Sequence, residues 1–139
     1  YMQIPVHPRD QPKTAFHWGN ATYMFTRMPF GLKNAAAKFQ RVMDAEIAAA
    51  GLQANAAPFQ DDVLIWSEEF DEHLRVVDKL LTHFASVGLR VHPEKSIFLA
   101  PVVEFLGHNV SQYGVTPNQA KVSGLKALAH PTSLTELHS

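Results

Sequence analysis

The sequence has 139 residues, 46% of them hydrophobic and 18% charged, which allows one domain with a real core and excludes a chain disordered throughout. Lys and Arg number 12 against 13 Asp and Glu, a formal net charge of -1, so no global basic field exists and any nucleic-acid affinity needs a local patch. The absence of cysteine excludes a disulfide framework and a thiolate metal site, and the histidines form no zinc-type spacing.

No apolar run reaches membrane-spanning length and the start does not read as a signal peptide. The expectation is a soluble intracellular protein with no membrane insertion. Met2, Ile4 and Val6 alternate with Gln3 and Pro5, the pattern of a half-buried strand. His7-Pro8-Arg9-Asp10-Gln11-Pro12 is polar, holds two prolines and is expected to be a loop. Lys13 to Trp18 reads as a strand, Gly19-Asn20 as a hairpin turn and Thr22 to Thr26 as the returning strand. Two short antiparallel strands of this kind make a flap.

In Arg27-Met28-Pro29-Phe30-Gly31-Leu32 both Pro29 and Gly31 break regular structure. The stretch suits a plain helix entry, and it equally suits a loop where glycine lets a ligand approach the backbone. A helix is expected over 32–50, with Leu32, Ala36, Phe39, Val42, Met43 and Ile47 on one face and Gly51 ending it.

Two apolar segments follow, Ala56 to Phe59 and Val63 to Trp66, and Asp61 and Asp62 sit at their seam. Two neighbouring carboxylates repel, and burying either is costly unless it is paired, hydrogen-bonded or metal-bound. A tight turn between two strands lifts both to one end of a sheet, where they can share a divalent cation. On the dipeptide alone a solvated hairpin turn is the commoner reading, since Asp favours turns.

A second helix is expected over 69–87. Ser67 is the expected N-cap, Glu68, Glu69, Asp71 and Glu72 suit the positive end of the helix dipole, and Gly88 stops the helix. Phe70, Leu74, Val77, Leu81 and Phe84 form its expected apolar stripe. A short strand should follow Leu89, and 102–110 reads as one further strand, with a turn at Ser111-Gln112-Tyr113-Gly114 and a return from Val115. Weak helices are expected over 118–128 and from Pro131. The fold class is α+β: an antiparallel sheet with two long helices packed on one face. The start at Tyr1 and the stop inside a helix read as the ends of a piece.

The chain resembles the reverse transcriptase (RNA-directed DNA polymerase) domain of Ty3/gypsy-type LTR retrotransposons. The stretches that carry the likeness are Tyr1-Met2-Gln3-Ile4, Pro12 to Phe16, Phe25 to Ala35, Phe39 to Asp44, Asp61 to Ser67 and Glu72-His73-Leu74. Gly88-Leu89, Pro93-Glu94-Lys95 and Val103 to His108 complete the set, in family order over almost the whole chain.

The resemblance implies a polymerase palm with part of the fingers over 1–116, a fingers-type hairpin over 13–27, and the start of the thumb or connection region over 117–139. It implies template-directed nucleotidyl transfer with two magnesium (Mg2+) ions, on a nucleic-acid template-primer and an incoming deoxynucleotide. Asp61 matches the family's direct metal ligand, and Asp62 its supporting acid and second metal-motif carboxylate. Tyr1 matches the aromatic that excludes a 2′ hydroxyl, Phe30 and Gly31 the loop that packs on the nucleotide, and Lys13 a residue near the triphosphate. Lys95 matches a lysine proposed to protonate the leaving pyrophosphate, and Leu106 and Gly107 the hairpin that grips the primer.

The chain also departs from the family pattern. Another essential aspartate of the family lies a few residues upstream of the position matched by Tyr1. Gln60 stands where an apolar residue is preferred, Ala36-Ala37 replaces a proline, and Ser96 stands where cysteine is common. The expectation is a retroelement reverse transcriptase fragment that is inactive in isolation and binds Mg2+ weakly or not at all. The alternative is a domesticated or decayed copy serving as a structural, protein-binding subunit of a larger assembly.

Overall fold

The structure is a computed structural model in which residues 1–118 and Ser123 are described. The chain divides into two compact units, Tyr1–Pro93 and Glu94–Ser139.

In the first unit, α1 (Ala35–Ala49) and α2 (Phe70–Ser86) supply seven of the thirteen buried core residues. On α1 the buried residues are Ala35, Phe39, Met43 and Ile47, four apart and therefore on one face. On α2 they are Val76, Leu80 and Phe84, at the same spacing. Ile4, Met28, Leu52, Ala56 and Leu89 close the core around them. Each large apolar side chain so buried contributes about 1.5–3 kcal/mol.

Between the helices runs a hairpin of β3 (Ala56–Phe59) and β4 (Asp62–Ile65), paired from Ala56↔Ile65 to Phe59↔Asp62. β3 packs on α1 and β4 on α2. The helices are also joined directly, His83 Nε2 lying 2.8 Å from Glu46 Oε2. A smaller hairpin of β1 (Phe16–Trp18) and β2 (Ala21–Tyr23) exposes all its strand residues. Phe16 stacks there on Tyr23 at 5.9 Å and meets Phe25 at 5.2 Å.

The second unit holds β5 (Val102–Phe105), β6 (His108–Ser111) and β7 (Gly114–Pro117), antiparallel in the order β5-β6-β7. None of its described residues is buried.

The α+β class holds, with antiparallel pairing throughout the described strands, but the sheet is divided into three pieces. Other local expectations are corrected. Residues 2–6 form no strand: Ile4 N donates to Tyr1 O at 2.9 Å in a turn, and the one pairing is the bridge Pro5↔Arg27. Pro8–Thr14 is a 3-10 helix, which takes the first two residues of the expected strand from Lys13. The prolines at 8 and 12 preset φ for such a turn.

α1 starts three residues later than expected, after Pro29 and Gly31. Ser67 does not cap α2: the extended Glu69 is the N-cap, and Ser67 Oγ is buried with no hydrogen-bond partner among the described residues. The buried stripe of α2 is rotated toward α1 and β4, leaving Phe70, Leu74 and Leu81 exposed. No strand follows Leu89. The expected strand over 102–110 is two, because the chain reverses at Leu106-Gly107. The helices expected over 118–128 and from Pro131 lie outside the described residues, except that Asn118 is non-helical and Ser123 is helical. Among the described residues no helix is long and apolar enough to cross a membrane.

Candidate functional site

The pairing Phe59↔Asp62 leaves Gln60-Asp61 as a two-residue loop. Gln60 has a φ of 52°, while Asp61 is not among the residues with positive φ. Positive φ at the first central position alone is the type II′ pattern, which suits the twist of a hairpin and normally takes glycine there. A glutamine in this region costs about 1–3 kcal/mol and persists only where its surroundings hold it.

Those surroundings come from α1. Gln60 N donates to Gln40 Oε1 at 2.6 Å. Gln40 Nε2 donates to Pro58 O at 2.9 Å and to Asp44 Oδ1 at 2.8 Å. Asp61 and Asp62 are left exposed at the tip.

The residue before Gln40 supports a second group. Phe39 is buried, and the half-buried Tyr1 ring stands edge-on to it at 5.6 Å. Tyr1 also meets Phe30 edge-on at 5.3 Å. Such pairs contribute about 0.5–1.5 kcal/mol each beyond their buried area. Phe30 itself is 72% exposed, and Gly31 follows with a φ of 84°. Consecutive residues of α1 therefore meet the two parts, Phe39 the Tyr1 ring and Gln40 the aspartate turn.

Of the remaining candidates, Lys13 belongs to the first unit and Lys95, Leu106 and Gly107 to the second. Lys13 is exposed in the 3-10 segment and bonded to Asp10 Oδ1 at 2.6 Å. That bond, with the charge of Lys13, holds the Asp10 carboxyl below the usual carboxylate range. Lys95 is exposed at the end of a 3-10 turn, Pro93–Lys95. Leu106 and Gly107 form the loop between β5 and β6, with φ of 51° and 78°, both positive as a type I′ turn requires. His108 Nδ1 lies 3.1 Å from Leu106 O.

Adjacent exposed carboxylates suit a magnesium ion, which takes one or two protein carboxylates and completes its shell with water and phosphate. Among the described residues no group of three His, Cys, Asp or Glu side chains gathers to hold an ion. Gln40 entered the sequence reading only within the motif Phe39 to Asp44. A hydrogen bond across 20 residues leaves no periodic trace to find.

The family described as reverse transcriptase (RNA-dependent DNA polymerase) matches residues 1–110. The chain is 39% identical over 137 residues to the retrovirus-related Pol polyprotein from transposon opus of Drosophila melanogaster, covering 99% of this chain and 14% of that protein. It is 33% identical over 139 residues to the corresponding polyprotein from transposon gypsy, also of Drosophila melanogaster, covering 100% and 13%. Among solved structures, the foamy viral protease-reverse transcriptase in complex with dsDNA aligns with a TM-score of 0.80 at 26% identity, over 96% of this chain and 28% of that one. The same viral protein in complex with RNA/DNA hybrid aligns with a TM-score of 0.78, over 96% and 18%. The chain thus spans about one seventh of the length of these curated relatives.

Proposed function

The chain belongs to the reverse transcriptase (RNA-dependent DNA polymerase) family, and on that premise we propose that it carries the palm of a retroelement polymerase site. The palm with part of the fingers is assigned to 1–116, with 13–27 as a fingers-type hairpin and 117–139 as the start of the next region. The reaction is template-directed transfer of a nucleotide to a primer end. Relatives solved with dsDNA and with RNA/DNA hybrid support a template-primer as the partner.

Asp61 is the direct ligand for magnesium in this reading, and Asp62 the supporting carboxylate beside it. When bound, magnesium neutralises charge on the nucleotide phosphates and eases deprotonation of the primer 3′ hydroxyl. Tyr1, braced by Phe30 and Phe39, stands beneath the sugar and leaves no room for a 2′ hydroxyl. Phe30 and Gly31 pack on the incoming nucleotide, and Lys13 approaches its triphosphate once released from Asp10. Lys95 gives a proton to the departing pyrophosphate. Leu106 and Gly107 hold the primer end.

One observation carries the reading: α1 supports Tyr1 and the aspartate turn through adjacent residues, Phe39 and Gln40. The test is primer extension with magnesium. The 139 residues alone are expected to give none, since among the described residues Asp61 and Asp62 gather no third His, Asp or Glu and hold the ions only weakly. A longer polypeptide containing the chain is expected to extend the primer. Asp61→Asn in it should lower the rate by at least about a hundredfold. Template-dependent extension that survives Asp61→Asn sinks the assignment.

A further inference from the structure

The strained turn and the helix beneath it meet through one side chain. Gln40 is half-buried on α1, directly after the buried Phe39, so its backbone is anchored by the core. Its amide makes three hydrogen bonds: Oε1 accepts from Gln60 N, and Nε2 donates to Pro58 O and to Asp44 Oδ1. These partners fix which way the amide faces. Turned over, it would set a donor against the Gln60 N–H and an acceptor against a carbonyl and a carboxylate.

Gln40 therefore grips the hairpin on both sides of Phe59, at the Pro58 carbonyl and at the Gln60 amide. The bond to Asp44 ties the grip back to α1. Nothing within the turn offers Gln60 a substitute for the conformational freedom of glycine.

We propose that Gln40 is the positioning residue of the Asp61-Asp62 pair. It clamps Pro58 and Gln60 to α1, keeps Gln60 in its left-handed bend, and so fixes how the two carboxylates leave the hairpin. The effect on metal affinity rests on the polymerase-site reading above; the clamp itself does not.

The test uses the whole 139-residue chain, isotopically labelled for NMR, native and as Gln40→Met. Methionine keeps the length and removes all three bonds. The Gln60 amide is expected to exchange slowly in the native chain and at least about tenfold faster in the variant. Mn2+, read by paramagnetic broadening of the Asp61 and Asp62 signals, is expected to bind the variant about 10–100-fold more weakly. Melting temperature and amide protection in α2 should stay close to native.

A lower melting temperature with unchanged Mn2+ affinity would mean that Gln40 only stiffens the fold, and it overturns the proposal. A native Gln60 amide that exchanges as fast as an unstructured one overturns it too, with no variant needed. If that amide is protected by Gln40 but Asp61 and Asp62 show no Mn2+ broadening, the clamp stands and the consequence drawn for metal affinity falls.

Discussion

The hairpins β1–β2 and β3–β4 turn through loops of the same length and the same handedness. Gly19-Asn20 and Gln60-Asp61 each carry positive φ at the first central residue, 59° and 52°, and not at the second. Their support differs. At Gly19 the residue itself is suited to the bend, and a Cβ there would meet nothing within 4 Å. That hairpin lies open, closed by the Phe16–Tyr23 stack on its own strands. At Gln60 the residue opposes the bend, and α1 holds it through Gln40. A relaxed turn needs only its local sequence, whereas a strained one needs a partner from another element. The strain falls on the turn that carries the two aspartates.

The comparison breaks most severely if α1 is loosened. Phe39→Ala removes a buried ring beside Gln40 and beneath Tyr1, and is expected to destabilise the first unit by about 3–5 kcal/mol in denaturant unfolding. A loss below about 1 kcal/mol would mean that α1 is not the common support of Tyr1 and the aspartate turn.

Exchanging the turn residues sharpens the contrast. Gly19→Ala is expected to weaken β1–β2 by about 1–2 kcal/mol through backbone strain alone, read by faster amide exchange in that hairpin. Gln60→Gly should do the reverse, relieving strain for a net gain near 1 kcal/mol in denaturant unfolding. Effects of the same sign at both positions would show that the two turns are not held differently.

The smallest effect concerns the segment leading into β1. Lys13 lowers the Asp10 carboxyl through its hydrogen bond and then its charge; slight burial opposes the shift and His7 adds to it. A carboxyl lowered on folding stabilises the fold above its unfolded pKa, and that contribution is lost as pH falls through the folded value. A slight loss is therefore expected only below about pH 4, where an unfolded Asp protonates. Exposed pairs contribute little, so the sensitive measurement is NMR titration of Asp10. Lys13→Met should raise its midpoint to the ordinary range.

Helical periodicity made α1 and α2 readable, because burying one face of a helix repeats every three to four residues. It could not choose between overlapping stripes on α2. Val76-Leu80-Phe84 faces the core, while Phe70, Leu74 and Leu81 do not, and only the position of α1 and β4 decides which. The Gly19-Asn20 turn was readable for its local chemistry. The residue pattern over 102–110 missed the reversal at Leu106-Gly107, which only the family resemblance implied as a hairpin, because Leu106 takes a φ of 51° that leucine does not advertise.

By itself, the sequence determined the ancestry of the chain, its two long helices and the hairpin that lifts Asp61 and Asp62. Those features rest on short-range pattern and on motifs kept in order. Only the tertiary structure decided that Phe39 braces Tyr1 and that Gln40 holds Gln60. A contact between residues far apart in the chain obeys no local periodicity, and it exists only once the elements have packed.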